Sequence, residues 1–311
     1  MTGPPAQTAA VRLAVRRALQ DLAGPRDGPV AAAVSGGADS LALAAGLAFE
    51  RPGAHALVVD HGLQAGSDRV AARAAAQCTD LGLRAQVLTA AVGRTGGPEA
   101  AARTARYAAL DDAVRELGLA AVLLGHTLDD QAETVLLGLA RGAGARSLAG
   151  MATVRGAYRR PLLGLERSVV RQACAQAGLE PWEDPQNADP GLARARVRAR
   201  VLPVLEAELG PGTAAALART AVQLREDADA LDALAPQLPA EPPVAALAGL
   251  PGALLGRALK RWAEAGCGRP VTAAHVGALR ALVEAWRGQG PVALPGGARV
   301  VREAGRLCFR A

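Results

Sequence analysis

Lysine and aromatic side chains are nearly missing from this 311-residue chain. Lys260 is the one lysine, and Phe, Trp and Tyr together make up 2% of the residues. The basic charge is therefore arginine, an exchange that a coding bias toward high GC produces without any functional demand. No apolar run is long enough to cross a bilayer, because charges, Gly or Pro interrupt each one. Cys78, Cys174, Cys267 and Cys308 form no C-x-x-C pair. That argues against a zinc ribbon or an iron–sulfur site and leaves reduced, buried thiols. Residues 1–10, with Pro4 and Pro5, lack the basic and apolar regions of a secretion signal. The reading is a short disordered leader on a soluble, cytoplasmic protein with no membrane partner.

What is present suffices for two domains, since half of the residues are hydrophobic. The net charge of +6 and pI near 9.9 suit a polyanionic partner. A solvated basic surface would give the same balance. After a helix over 11–22, closed by Gly24-Pro25, strand-like runs alternate with helices. Strands are expected at 29–34, 55–59, 84–89 and 120–125, and helices at 39–49, 67–81, 98–117 and 129–140. Such alternation predicts an α/β fold with a parallel sheet covered on both faces and ligands at the carboxyl ends of its strands. Beyond Gly150 a basic stretch precedes a helix at 168–177. A Pro- and Asp-rich loop at 181–191 leads to an arginine ladder: Arg194, Arg196, Arg198 and Arg200. Residues 205–234 read as helical and Ala-rich, 236–243 as a linker, and two more helices precede a tail with hairpin character. The expected domains are 1–205 and a smaller, mainly helical 206–311.

Ser35-Gly36-Gly37-Ala38-Asp39-Ser40 follows the first strand and opens a helix. Adjacent glycines let backbone amides approach an anion at the helix N-terminus, and Ser35 and Ser40 add hydroxyl donors. The loop is neither a Walker A nor a G-x-G-x-x-G sequence. His126-Thr127-Leu128-Asp129-Asp130-Gln131-Ala132-Glu133-Thr134 lies where the fourth strand meets its helix. Asp130 and Glu133 share one helix face, so they suit Mg²⁺ beside a triphosphate. Acids in a first turn also complement the helix dipole, and either role fits the pair alone. Asp39 on the same sheet edge tips the balance toward metal, with all three carboxylates expected to face solvent. Asp60-His61-Gly62-Leu63 ends the second strand at the same edge, while His55 and His275 read as structural.

The loop resembles the signature of the PP-loop, or N-type ATP pyrophosphatase, superfamily. Within it the chain is similar to the tRNA(Ile)-lysidine synthetase family along nearly its whole length. Ala102 to Tyr107, Arg141 to Met151, Arg160-Pro161-Leu162-Leu163 and Glu183 to Asp189 through Pro203 carry that resemblance. Ala195 and Gln186 stand where the family usually has Asn and Ser. The resemblance implies that ATP adenylates the wobble cytidine of a CAU-anticodon isoleucine tRNA. Free L-lysine then attacks, giving lysidine, AMP and pyrophosphate, and codon reading changes from AUG to AUA. It implies ATP contacts from Ser35, Gly36, Gly37, Ala38, Asp39, Ser40, Asp60 and His61. Magnesium is expected on Asp39, Asp130 and Glu133, and Arg106 is expected on phosphate or substrate. Arg194 and Arg198 are expected to hold tRNA phosphates, with the leaving pyrophosphate as an alternative target for Arg194. A homodimer is left open. A tRNA thiolase would need paired cysteines, an amidotransferase-type synthetase an ammonia source, and a nucleotide sensor no carboxylates beside the loop.

Overall fold

The computed structural model describes residues 3–22, 28–62, 66–90, 93 and 98–310. Leu63 and the expected Gly24-Pro25 stop lie outside them. The chain divides into two compact units, Met1–Gln223 and Leu224–Ala311.

In the first unit, α1 (Ala6–Leu19) precedes four strand–helix repeats. These are β1 (Val30–Val34) with α2 (Ala38–Glu50) and β2 (His55–Asp60) with α3 (Ser67–Asp80). Then come β3 (Arg84–Thr89) with α4 (Pro98–Glu116) and β4 (Ala121–Leu124) with α5 (Leu128–Leu139). A short α6 (Ala145–Leu148) leads to β5 (Val154–Arg155), β6 (Tyr158–Arg159) and α7 (Arg167–Gln176). The sheet order is β3-β2-β1-β4-β6-β5, parallel except for β5. β1 and β4 are buried nearly throughout because helices cover both faces. One face packs α1, α2, α3 and α7 around Val15, Leu41, Leu47, Ala74 and Val170. The other packs α4 through Leu110 and Ala113 against Leu57 and Val122. Leu41, Leu43 and Leu47 of α2 are fully buried. Each contributes roughly 1.5–3 kcal/mol by leaving water, which anchors the helix that the Ser35–Ser40 loop opens.

Two expectations change here. The stretch read only as basic, 155–160, adds β5 and β6, two-residue strands too short to show a period. The helical stretch read over 205–234 divides into two helices, α9 (Leu202–Leu209) and α10 (Thr213–Leu234). Gly210 and Gly212 turn the chain between them with φ of 100° and 93°. The Glu206 carboxylate then accepts from the amides of Gly212, Thr213 and Ala214 and caps α10. Before α9, the arginine ladder forms α8 (Ala193–Arg196) and one π-turn, Val197–Val201.

The second unit packs α11 (Val244–Ala248), α12 (Gly252–Cys267) and α13 (Ala273–Glu284) with an antiparallel sheet. Its strands are β7 (Val292–Ala293), β8 (Arg299–Glu303) and β9 (Arg306–Arg310). Its core gathers Leu247, Leu255, Leu259, Leu279, Leu282, Val300 and Leu307. His275 caps α13, its Nδ1 accepting from the Thr272 amide at 3.0 Å. No helix among the described residues is long and apolar enough to cross a membrane.

Candidate active site

The loop between β1 and α2 is tied internally through Ser40. Its Oγ accepts from the Ser35 amide at 3.1 Å and donates to the Gly37 carbonyl at 2.9 Å. Gly36 sits at φ 83°, a conformation that a β-carbon disfavours, and its carbonyl accepts from the Trp182 amide at 2.9 Å. Gly37 is different. Its φ of −75° suits any residue, and a β-carbon there would meet only Ser35 Oγ, at 3.7 Å. Of the two glycines, only Gly36 needs a conformation that other residues disfavour. The amides of Gly37, Ala38 and Asp39 have no acceptor among the described residues, which leaves three donors at the start of α2 for an anion. Gly125, ending β4, lets this turn approach closely. A β-carbon there would lie 3.1 Å from the Asp39 carbonyl carbon.

Asp39 reaches the strand-end cleft from the first turn of α2. Its Oδ2 lies 3.5 Å from Arg167 Nε, and its buried Oδ1 has no hydrogen-bond partner. Burial pushes its carboxyl up to about 6, although Arg167 pulls the other way and Asp130 adds to the rise. A carboxyl raised in the fold binds protons there that the unfolded chain has already released. Its contribution to stability is therefore complete below about pH 4 and lost as the pH rises through about 6. Thermal melts of the ligand-free protein should show this slope as a difference from Asp39→Asn. Identical slopes in the two proteins would contradict the burial of Asp39.

The carboxylate helix differs from its sequence reading. Asp130 Oδ2 accepts from the Thr127 amide at 2.8 Å and the Thr127 hydroxyl at 3.0 Å, closing a cap on α5. Its Oδ1 accepts from Arg167 Nη2 at 2.8 Å and Arg198 Nη2 at 3.1 Å. Burial works to raise this carboxyl, but Arg167, the Thr127 amide, His126 and Arg198 together hold it below the usual carboxylate range. Glu133, expected to face solvent, is fully buried. Its Oε1 accepts from Arg198 Nε at 2.7 Å and Arg167 Nη1 at 3.3 Å. Its Oε2 accepts from Arg198 Nη2 at 3.0 Å and lies 3.5 Å from Arg194 Nε. A carboxylate offers about four lone-pair positions, so both groups are saturated. No three His, Cys, Asp or Glu residues among those described are grouped to hold a metal ion. Asp39, Asp130 and Glu133 are thus neighbours, but around Arg167 rather than as an open cage. Of the three, Asp39 alone retains a free oxygen.

Arg194 and Arg198, expected on tRNA phosphates, face inward to these carboxylates. Four residues apart on the α8–π segment, they share a face, and Arg194 Nη2 also donates to Thr134 Oγ1 at 3.0 Å. Arg196 instead holds the Pro190 and Gly191 carbonyls.

Two histidines and two arginines complete the edge. Burial and nearby Arg106 lower the pKa of His61, against Asp60. Asp60 itself turns back to the Gly62 amide at 3.0 Å. His126 is lowered to about 4 by burial and by Arg160, Arg106 and Arg103, although Asp130 opposes them. Burial, Arg103 and Arg194 likewise lower Arg106, with Tyr107 opposing. Arg160 is buried, with Nη1 on the Ala152 carbonyl at 2.8 Å and Nη2 3.5 Å from the Tyr107 hydroxyl. Asp39 Oδ1, His61 Nδ1, His126 Nδ1 and Arg160 Nε are buried without a hydrogen-bond partner among the described residues, and all four lie just beyond the carboxyl ends of β1, β2, β4 and β6. Buried polar atoms are ordinarily satisfied, so this concentration at one edge marks a place prepared for a polar ligand.

Sequence reasoning missed Arg167 and Trp182, and it singled out Arg160 without giving it a place in the site. Neither Arg167 nor Trp182 stands in a local pattern, and only the tertiary fold brings them to Asp39 and Gly36.

The residues that form this edge belong to a matched family model. A PP-loop domain model matches residues 11–205, and a TilS substrate binding domain model matches 243–308. A tRNA(Ile)-lysidine synthase of Thermobifida fusca (strain YX) is 53% identical over 325 aligned residues, covering 100% of both chains. The enzyme of that name from Streptomyces coelicolor is 49% identical, covering 99% of each chain. Among solved structures, the U34-tRNA thiolase NcsA from Methanococcus maripaludis superposes with a TM-score of 0.59 at 21% identity. It covers 71% of this chain and 80% of that one, a likeness of fold alone.

Proposed function

The chain belongs to the tRNA(Ile)-lysidine synthase family, and on that footing we propose that it uses ATP to adenylate the wobble cytidine of a CAU-anticodon isoleucine tRNA and joins L-lysine to it. The observation that carries this reading is the pairing of three free amides at the start of α2 with the unspent oxygen of Asp39 beside them. In the first step the cytidine 2-oxygen bonds to the α-phosphorus and pyrophosphate leaves. In the second the lysine ε-nitrogen bonds to the ring carbon, AMP leaves with that oxygen, and the nitrogen gives up its proton.

The residues divide this work by what they have free. The amides of Gly37, Ala38 and Asp39, with Ser35, seat ATP phosphates. Asp60 and His61, at the end of β2, flank the nucleotide. Arg106, unspent on any carboxylate among the described residues, offers its fork to phosphate. Magnesium, when bound, supplies charge stabilisation to the leaving pyrophosphate. Asp39 Oδ1 fits it, with phosphate oxygens and water as the other ligands. The saturated Asp130 and Glu133 do not. They orient Arg167 and Arg198, and the proton released by the lysine amine passes to solvent. The partner is then isoleucine tRNA, in the cytoplasm.

Arg194 and Arg198 keep their inner nitrogens on Glu133, while neither Nη1 has a partner among the described residues. Those outer nitrogens are proposed to hold a tRNA phosphate at the reacting base. Arg198→Ala should flatten the salt dependence of tRNA binding by about 0.9 of a log–log unit for each phosphate it no longer neutralises. It should leave the KM for ATP nearly unchanged. A raised ATP KM with an unaltered salt slope would place Arg198 on the nucleotide instead.

The whole reading is tested with radiolabelled lysine and an unmodified CAU-anticodon isoleucine transcript. ATP-dependent labelling is expected there and not on a methionine tRNA transcript. Pyrophosphate exchange without tRNA and no lysine transfer would overturn it.

A further inference from the structure

Arg167, the first residue of α7, touches four carboxylates at this edge. Its amide donates to Asp129 Oδ2 at 2.7 Å, which fixes the start of α7 against the start of α5. Its Nη2 holds Asp130, its Nη1 lies 3.3 Å from Glu133, and its Nε lies 3.5 Å from Asp39. Only a planar fork of five donors reaches three carboxylates from one position. Burial works against its charge, yet Asp130, Glu133, Asp39 and Asp129 outweigh that and raise its pKa.

The charges around it are balanced. Three carboxylates (Asp39, Asp130, Glu133) and three guanidiniums (Arg167, Arg194, Arg198) are joined by six ion pairs within 4 Å. A divalent cation between Asp130 and Glu133 would have to displace or sit against Arg167 and Arg198. The Oδ1 of Asp39 carries no such conflict, because the one arginine contact of that carboxylate is through Oδ2.

We infer that Arg167 is a positioning residue that acts as the built-in counter-cation of Asp130 and Glu133 and so confines the divalent ion to Asp39. It holds both carboxylates in fixed orientation toward Arg198 and keeps a second ion out of the cluster. The inference rests on the proposed magnesium role of Asp39, and its consequence runs in two directions. Loss of Arg167 frees carboxylate oxygens, so cation binding tightens. The same loss lets Asp130 and Glu133 turn, so turnover slows.

The test uses the full chain without ATP and Mn²⁺ as the probe, read by electron paramagnetic resonance. Arg167→Met is expected to bind Mn²⁺ about tenfold more tightly than the parent, the size of effect that removing one buried counter-charge produces. Its kcat should fall at least tenfold while the KM for ATP stays within about twofold. Arg167→Lys keeps the charge but not the fork, so it should restore the weaker Mn²⁺ affinity without restoring kcat. Should Arg167→Met fail to fold, as judged by its melting curve, Arg167→Lys carries the test: parental kcat in that variant would overturn the inference. Unchanged Mn²⁺ affinity in a folded Arg167→Met would overturn it too. Asp39→Asn separates the two layers. If it binds Mn²⁺ like the parent, the magnesium reading is wrong. If it loses Mn²⁺ while Arg167→Met gains nothing, the role of Arg167 alone is wrong.

Discussion

Glu133→Ala should melt well below the parent and turn over at least about a hundredfold more slowly, the scale on which lost charge stabilisation acts. Read from sequence, Glu133 is a solvent-facing acid in a helical turn, whose removal costs about a kcal/mol at most. In the fold it is fully buried and bonded to Arg167 and Arg198, with Arg194 at 3.5 Å. Removing one member of a buried ion cluster strands the others and costs about 3–5 kcal/mol. For a unit of this size that corresponds to a fall in Tm of roughly 6–20 °C. Glu133→Gln keeps the volume and one acceptor, so it should recover much of the stability and little of the activity. A calorimetric scan of both variants, with turnover measured below their melting range, checks this. A Glu133→Ala protein with parental Tm would show that the arginines find other partners.

Gly37→Val should separate binding from folding in the opposite way. The backbone at Gly37 has φ −75° and ψ 160°, an extended geometry that suits valine, and no protein atom crowds a β-carbon there. The variant should therefore melt with the parent. Its side chain would stand over the free amides proposed to seat phosphate, so ATP affinity should fall by about two orders of magnitude or more. Gly36→Val, at φ 83°, should lose both affinity and stability. Equilibrium binding of ATP to each variant, beside its melting curve, makes the comparison. Parental ATP affinity in Gly37→Val would mean that the triphosphate lies elsewhere.

These two variants mark where local reading succeeds and where it stops. The nucleotide loop is legible because strand, glycine pair and helix start are contiguous, and the helix supplies its free amides from backbone geometry alone. The same holds for Asp60, which turns back on the Gly62 amide two residues on. Glu133 is the contrary case. Its spacing from Asp130 gives a shared face, but which atoms meet that face depends on residues about 35 and 65 positions later. Arg194 and Arg198 are likewise readable as a pair on one face, and their inward direction is not.

From sequence alone come the parallel α/β order, the loop from Ser35 to Ser40, the family, and the gathering of polar residues at one sheet edge. All of these follow from periodicity and contiguous motifs, in which neighbours in sequence are neighbours in space. Tertiary structure decided that Glu133 is buried, that Asp130 is spent on Thr127 and arginine, that Arg167 stands among three carboxylates, and that Asp39 keeps a free oxygen. Those are matters of charge partnership between distant segments. A guanidinium finds a carboxylate only after the sheet and α7 have set their separation, and no local pattern encodes that distance.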